Sequence, residues 1–205
     1  MKVLWRRSHW EKGLILLLVL FISACASKPS TKPSKKPPTP GNYHDSTMDF
    51  SAIKTVAVLP LANATADKLA GERVRDVLIT TLMSTETMYV IPTGEIIRAI
   101  GRAGITDPTS PSTEEIKKLG GILKVNAVIT GVVREYGEVR SGPAAANVLS
   151  LSLAMTEVDT GKVVWTSHST RGGISTLDRL FGGGGEPMNN ITQKVVDDLL
   201  DKLFK

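Results

Sequence analysis

The sequence is poor in the residues that build disulfides and metal sites. Its 205 residues include one cysteine, Cys25, and three histidines, His9, His44 and His168. A single cysteine excludes an intrachain disulfide framework and a cysteine-rich zinc site, and three scattered histidines supply a histidine-based site poorly. A glycine triplet period and a sustained heptad are both missing, which excludes collagen-like and coiled-coil chains. We therefore predict neither a metal nor a cofactor.

Positive charge is concentrated outside the part of the chain that is expected to fold. The formal net charge is +5, but residues 1–24 carry +3 and residues 25–41 carry +4. From Asn42 onward, 17 Lys and Arg stand against 19 Asp and Glu, a net charge of −2. A nucleic-acid-binding domain carries its basic stripe on the folded domain itself. Nucleic acid is therefore not predicted as a partner.

The first 24 residues have the three zones of a secretory signal. A basic start precedes a continuous apolar run of ten residues over 13–22, and Ser23 and Ala24 close it. Ten residues form about 15 Å of helix, half of the roughly 30 Å hydrocarbon core of a bilayer. The length therefore favours a cleaved signal peptide over a membrane-spanning helix.

The end of this leader resembles the lipobox of bacterial lipoproteins. Ile22, Ser23 and Ala24 place one aliphatic and two small residues directly before Cys25. In that family the cysteine receives diacylglycerol, the leader is cut before it, and the new amino group is acylated. The resemblance implies an anchor of acyl chains, palmitate among them, on Cys25. Ala26 stands where Asp would retain the protein at the inner membrane, which implies the periplasmic face of the outer membrane.

Residues 25–49 are predicted to be a disordered tether. Between Ala26 and Tyr43, five prolines and four lysines stand among serines and threonines, so that little can be buried. Such a segment spans at most about 3.1 Å per residue. Two roles fit it: a plain spacer, or a spacer whose lysines contact anionic lipid headgroups or the cell-wall polymer.

Residues 50–205 are predicted to form one α/β domain. Apolar runs over 54–61 and 125–133 are typical of strands buried on both faces, and 148–158 alternates as a half-buried strand. A turn at 159–162 returns the chain into a further strand over 163–169. Amphipathic helices are predicted over 68–84, over 93–104, after a capping box at Ser112, and from Ile191 onward. This order predicts a mixed β-sheet packed with helices, parallel first and antiparallel at its end.

Three stretches of this domain resemble a group of bacterial envelope proteins. Residues 56–63 are similar to an AVLPFxN opening, 126–131 to an ADAVITG strand with Asn126 in place of Asp, and 158–165 to a VDTGEVVW hairpin. The group contains the CsgG-like curli secretion lipoproteins, the TolB N-terminal domain and the LpoB-type activators of peptidoglycan synthases. The resemblance covers about residues 54–170 and implies this fold and an envelope location.

Members of this group have different functions, and the order of segments along the chain helps to discriminate between those functions. Anchor, tether and compact domain resemble the LpoB-type activators, which implies a non-enzymatic adaptor or activator in peptidoglycan synthesis or export, with an envelope protein as partner. The alternative is a ring-forming subunit of a CsgG-like outer-membrane secretion channel, and hence a homo-oligomer. A membrane-spanning hairpin needs roughly twenty or more residues. Residues 136–147 offer twelve, so the adaptor is preferred.

Candidate sites for chemistry are few, and an enzyme is not predicted. The glycine run 182–185 lacks the Lys-Ser/Thr of a phosphate-binding loop. Asn63 and Asp67 follow the first buried strand, where α/β sheets often bind ligands, although turn formation and helix capping explain them as well. His168 is expected to be an ordinary sheet position, since no partner for it is recognisable as a nucleophile.

The partner surface is predicted in the segment between two of the long strands. Residues 136–147 contain Gly137, Gly142 and Pro143 and are expected to form an exposed loop. Because loops carry function more often than buried strands do, we predict that Tyr136, Glu138 and Arg140 contact the partner.

Overall fold

The computed structural model of the protein describes residues 41–174, 176 and 185–204. Ile22, Ser23, Ala24 and Cys25, the tether as far as Pro40, and Gly182–Gly184 lie outside the described residues. The described residues form four α-helices: α1 (Ala70–Ser84), α2 (Thr93–Ala103), α3 (Thr113–Leu123) and α4 (Met188–Leu203). The strands are β1 (Asn42–His44), β2 (Thr55–Val58), β3 (Ala62–Asn63), β4 (Tyr89–Val90), β5 (Ala127–Ser141), β6 (Ala144–Glu157) and β7 (Val163–Gly172), with a short 3₁₀ turn at Phe50–Ala52.

The strands form one mixed sheet in the order β1-β7-β6-β5-β2-β4, with β3 also beside β5. Strand β2 runs parallel to β4 and β5, whereas β5, β6, β7 and β1 are joined by antiparallel pairing. Parallel neighbours require long crossovers, and the helices α1, α2 and α3 supply them. The predicted mixed sheet packed with helices is therefore confirmed.

The helices bury the two faces of the sheet unequally. Helices α1 and α4 cover one face, where Leu151 and Trp165 belong to the larger core cluster. Helices α2 and α3 cover the other face around β2 and the start of β5, where Leu59 and Val128 are buried. Strand β6 alternates as predicted, with Leu149, Leu151, Leu153 and Met155 buried. No helix among the described residues is long and apolar enough to cross a bilayer.

Helix ends follow the local chemistry of the sequence. The capping box at Ser112 is present: its side chain accepts a hydrogen bond from the Glu115 N–H, and the Glu115 carboxylate accepts one from the Ser112 N–H. Gly104 ends α2 in a left-handed conformation with φ of 68°, which costs a glycine little. Both boundaries are where the sequence predicts them.

Residues 42–44, which the sequence places in the tether, form the edge strand β1 of the sheet. Tyr43 in β1 lies opposite Thr166 in β7, and the Asp45 N–H donates to the Val164 carbonyl over 2.8 Å. The His44 ring lies 4.0 Å from that of Phe50. The sequence pattern does not reveal β1, because a three-residue edge strand has no periodicity of its own.

The predicted loop over 136–147 is also wrong. Strand β5 continues to Ser141 and β6 begins at Ala144, so that the segment is a two-stranded hairpin. The chain reverses at Gly142, whose φ of 59° favours glycine, and Pro143. The hydrogen-bonded ladder overrides the weak strand propensities of Gly137 and of the alanines that follow Pro143.

Charged side chains tie α4 to β7. The Asp198 carboxylate accepts hydrogen bonds from Lys202 Nζ over 2.7 Å and from Arg171 Nη2 over 3.3 Å. Burial acts to raise the pKa of Asp198, but hydrogen bonds from Lys202 and Ser169 and the charges of Lys202 and Arg171 outweigh it, so the pKa lies below its usual value. The stabilisation is therefore present above the usual carboxyl pKa and is lost as the pH falls through the lowered one.

We expect Asp198→Asn to lower the melting temperature at neutral pH, because it removes these charged contacts. The difference from the natural protein should shrink as the pH falls below about 4, where the carboxyl of the unfolded chain becomes protonated, and vanish below the lowered pKa of the folded protein. Melting curves between pH 7 and pH 2 measure this. The control is Asp197→Asn on the same helix, since Asp197 accepts from Gln193 instead of a cation. Equal curves for the two variants would contradict the role given to Asp198.

Candidate functional site

One face of the sheet is only half covered. Beyond α2 and α3, it continues across β6, β7 and β1, and no helix of the described residues lies over it. The surface is a concavity of about 560 Å³. We call it the open sheet face, and define it by Tyr43, Thr130, Ser152, Ala154, Thr166 and His168.

The polarity of this face follows from the two-residue period of the strands. On β6, leucines point toward α1 and α4, so that Ser150, Ser152 and Ala154 point the other way. On β7, Thr166 and His168 alternate with Ser167 and Ser169, which are buried beneath α4. A sheet with one apolar and one polar side is what an antiparallel β5-β6-β7 arrangement permits.

A chain of side-chain hydrogen bonds crosses three strands of the open sheet face. Arg134 Nε donates to Ser152 Oγ over 3.2 Å, and Ser152 Oγ lies 3.2 Å from His168 Nδ1. On the other side of the ring, His168 Nε2 lies 3.1 Å from Thr170 Oγ1, which donates to Ser150 Oγ over 3.1 Å. A neutral imidazole with its proton on Nε2 satisfies every contact, because Ser152 then donates to Nδ1. The chain holds these polar side chains in fixed orientations.

Sequence reasoning missed the pairing of Ser152 with His168. The two residues lie directly opposite each other in the β6-β7 register, which brings a hydroxyl next to an imidazole. In a serine-histidine catalytic arrangement, a buried carboxylate holds the second ring nitrogen. Here the hydroxyl of Thr170 takes that place, and the ring is held as part of a polar surface.

The residues after β2 serve the turn into α1. Asn63 Oδ1 accepts from the Thr65 N–H over 3.0 Å, and its amide donates to the Asp67 carbonyl over 2.7 Å. Asp67 in turn accepts from the Leu69 N–H over 2.9 Å and forms an ion pair with Arg73 over 2.7 Å. Turn formation therefore accounts for both residues, whereas neither side chain caps α1, whose N-cap residue is Leu69.

A buried arginine at the end of β2 was not found from the sequence. Arg75 is 7% exposed, and its Nε and Nη2 both donate to the Val58 carbonyl, the former over 3.0 Å. Burial lowers the pKa of Arg75, against the opposing charges of Asp76 and Glu72. Arg75 lies next to the apolar stripe of α1. A charged residue at that position of a helical pattern is expected to be exposed, so the pattern does not indicate its burial. Arg75 satisfies a carbonyl that the short strand leaves without a strand partner.

The three predicted contact residues lie on the opposite side of the sheet from His168. Tyr136, Glu138 and Arg140 follow a bulge between Val133 and Glu135 and share the side that α1 and α4 cover. Tyr136 is half-buried against the core, whereas Glu138 and Arg140 are exposed and form an ion pair with each other. The three predicted contact residues are therefore not part of the open sheet face.

Within residues 41–174 and 185–204, no group of histidines, cysteines and carboxylates is arranged to hold a metal ion. The predicted lipidation site, Cys25, and the lipobox residues Ile22, Ser23 and Ala24 are not among the described residues.

Solved structures provide the comparison for this geometry, since no protein-family model and no curated protein matches the sequence. Lipoprotein GNA1162 from Neisseria meningitidis is 17% identical, with a TM-score of 0.53 over 74% of this chain and 98% of its own. A PelC dodecamer from Paraburkholderia phytofirmans is 18% identical, with a TM-score of 0.49 over 73% and 87%. The LpoB C-terminal domain from Salmonella enterica is 15% identical, with a TM-score of 0.47 over 58% and 82%. The likeness to GNA1162 establishes the fold alone.

Proposed function

We propose that the chain is a lipid-anchored protein of the bacterial envelope that acts as a non-enzymatic adaptor or activator. Its partner is a protein of the peptidoglycan synthesis or export machinery, and it binds on the open sheet face. The observation that carries this proposal is the hydrogen-bonded polar surface around His168, set on a rigid sheet. The leader ending in Cys25 supports the envelope location and the acyl anchor.

The open sheet face suits contact with a folded partner. Its side chains are short, apart from His168 and Tyr43, so another protein surface can approach the sheet closely. Tyr43 is 49% exposed, and tyrosine is enriched at protein interfaces because it combines a large apolar ring with a hydroxyl. The Ser152–His168–Thr170 chain is already ordered, which reduces the entropy lost on binding.

The use of the polar groups supports a binding role over catalysis. Asp67 is committed to the turn before α1, through the Leu69 N–H, and to an ion pair with Arg73. Both ring nitrogens of His168 contact hydroxyl groups of the same sheet. The second ring nitrogen is held by the hydroxyl of Thr170 instead of a carboxylate, so the Ser152–His168 pair is not oriented as in a serine-histidine catalytic arrangement.

Photocrosslinking in cells tests the proposal. A photoreactive amino acid at the position of Thr166, within the open sheet face, is expected to capture one envelope protein, identified by mass spectrometry as a synthase or export component. The matched control is the same amino acid at exposed Arg98 on α2, outside the open sheet face, where no such capture is expected. His168→Ala should reduce the capture from Thr166 several-fold, since it removes the centre of the hydrogen-bond chain.

Two results would overturn the proposal. Equal capture from Arg98 and Thr166 would remove the open sheet face as the contact surface. Capture of the chain only by itself, in a ladder of large oligomers, would favour the ring-forming channel subunit.

A further inference from the structure

One edge of the β5-β6 hairpin carries no neighbouring strand in the part of the chain that the structure describes. Strand β5 pairs with β3 as far as Val133, whose carbonyl accepts from the Ala64 N–H over 2.9 Å. Beyond that point, no strand among the described residues pairs with 134–141 on the side away from β6. This stretch, which we call the β5 edge, leaves alternate backbone N–H and C=O groups available to another strand.

The opposite edge of the same hairpin is occupied. The Gly173 N–H donates to the Asn147 carbonyl over 2.8 Å, and the Gly185 N–H donates to the Ala145 carbonyl over 3.2 Å. The Asn147 side chain also donates to the Glu186 carbonyl over 3.0 Å. The hairpin is thus held from the β6 side, which presents the β5 edge on a supported strand.

The charges on the β5 edge of one copy are complementary to those on the β5 edge of a second copy. Glu138 and Arg140 flank Val139 and share one side of the strand. In an antiparallel pair of two copies centred on Val139, each Glu138 lies directly opposite the other copy's Arg140. Centring the pair on Glu138 instead would place two carboxylates opposite each other. Opposite charges across a strand pair are stabilising and like charges are destabilising, so the charges select the register centred on Val139.

The remaining features of the β5 edge agree with this register. Val139 is 38% exposed and would meet its own copy at the two-fold axis. Pairing would extend symmetrically from Tyr136 to Gly142, and Pro143, which has no N–H to donate, would end it. The bulge between Val133 and Glu135 limits the pairing at its other end.

We propose that two copies of this chain associate by antiparallel pairing of their β5 edges over residues 136–142, about a two-fold axis at Val139. The two sheets then join into one, and the open sheet face of each copy stays available. Such an interface is small, but the membrane anchor of the proposed function would raise the effective concentration of the copies. This proposal does not depend on the identity of the partner bound by the open sheet face.

Disulfide trapping of the full chain in membranes tests the register. Residues directly opposite in an antiparallel pair have Cα atoms about 4.5–5.5 Å apart, within the range that a disulfide bridges. Val139→Cys is therefore expected to give a dimer on mild oxidation that disappears on reduction. The control is Tyr89→Cys on the terminal strand β4, outside the β5 edge and 61% exposed, which should give little dimer.

Charge reversal separates specific pairing from random collision. In the Val139→Cys background, Glu138→Arg or Arg140→Glu alone should reduce the dimer yield about five- to tenfold, because each places like charges opposite each other twice. The double reversal should restore it. Two results would overturn the proposal. One is a dimer yield from Val139→Cys no higher than that from Tyr89→Cys, and the other is a dimer yield that stays the same in both single reversals and in the double reversal.

Discussion

Replacing Cys25 by alanine is expected to abolish acylation of the protein. The mature, membrane-bound form of the protein should then no longer be made. Each buried CH₂ of an acyl chain contributes about 0.8 kcal/mol, and two chains hold a protein at a membrane where one does not. Without the thiol, the proposed lipid anchor has no point of attachment. We expect labelled palmitate to vanish from the protein, which would then accumulate as the uncleaved precursor or in the soluble fraction.

Metabolic labelling and membrane fractionation measure this effect, with Ser27→Ala as the matched control. That substitution changes the same stretch of chain and keeps the thiol. Mature, membrane-bound Cys25→Ala protein would contradict the lipoprotein proposal. Cys25→Ala should also affect association of the folded domain. Release from the membrane should lower the dimer yield from Val139→Cys, because the effective concentration of the β5 edges falls.

Most of the fold was predictable because its elements bury their apolar side chains with a clear period. The stripe of Val74, Leu78 and Leu82 predicts α1, and the alternation from Leu149 to Met155 predicts the inner face of β6. The β5-β6 hairpin beyond Tyr136 was not predictable in this way. Its residues are small or charged, and their strand conformation depends on the ladder with the neighbouring strand.

The polar chain of the open sheet face could not be derived from the sequence because a bulge sets its register. The Glu157 N–H donates to the Lys162 carbonyl at the turn, and counting outward from this bond places Ser152 opposite Ser167. A register shift between Met155 and Thr156 moves the strands by one residue, so that Ser152 faces His168. A one-residue shift brings a different set of side chains together.

Trp165→Ala is expected to lower the free energy of unfolding by about 3–5 kcal/mol. Trp165 is 0% exposed in the larger core cluster, between the sheet and α4, on the strand whose other side carries Thr166 and His168. Truncation leaves a cavity that the surrounding core fills only in part. Urea unfolding followed by circular dichroism measures the loss, since the variant also changes the tryptophan fluorescence.

Trp165→Phe separates the volume of this side chain from its polar group. The indole Nε1 is buried and has no hydrogen-bond partner among the described residues. A phenyl ring therefore gives up no hydrogen bond and keeps most of the buried ring, so we expect a clearly smaller loss than in Trp165→Ala. The photocrosslink from Thr166 should then survive in Trp165→Phe and weaken in Trp165→Ala, because the open sheet face depends on the packing beneath β7. Equal losses of stability in the two variants would contradict this account, because the retained phenyl ring would then contribute nothing to stability.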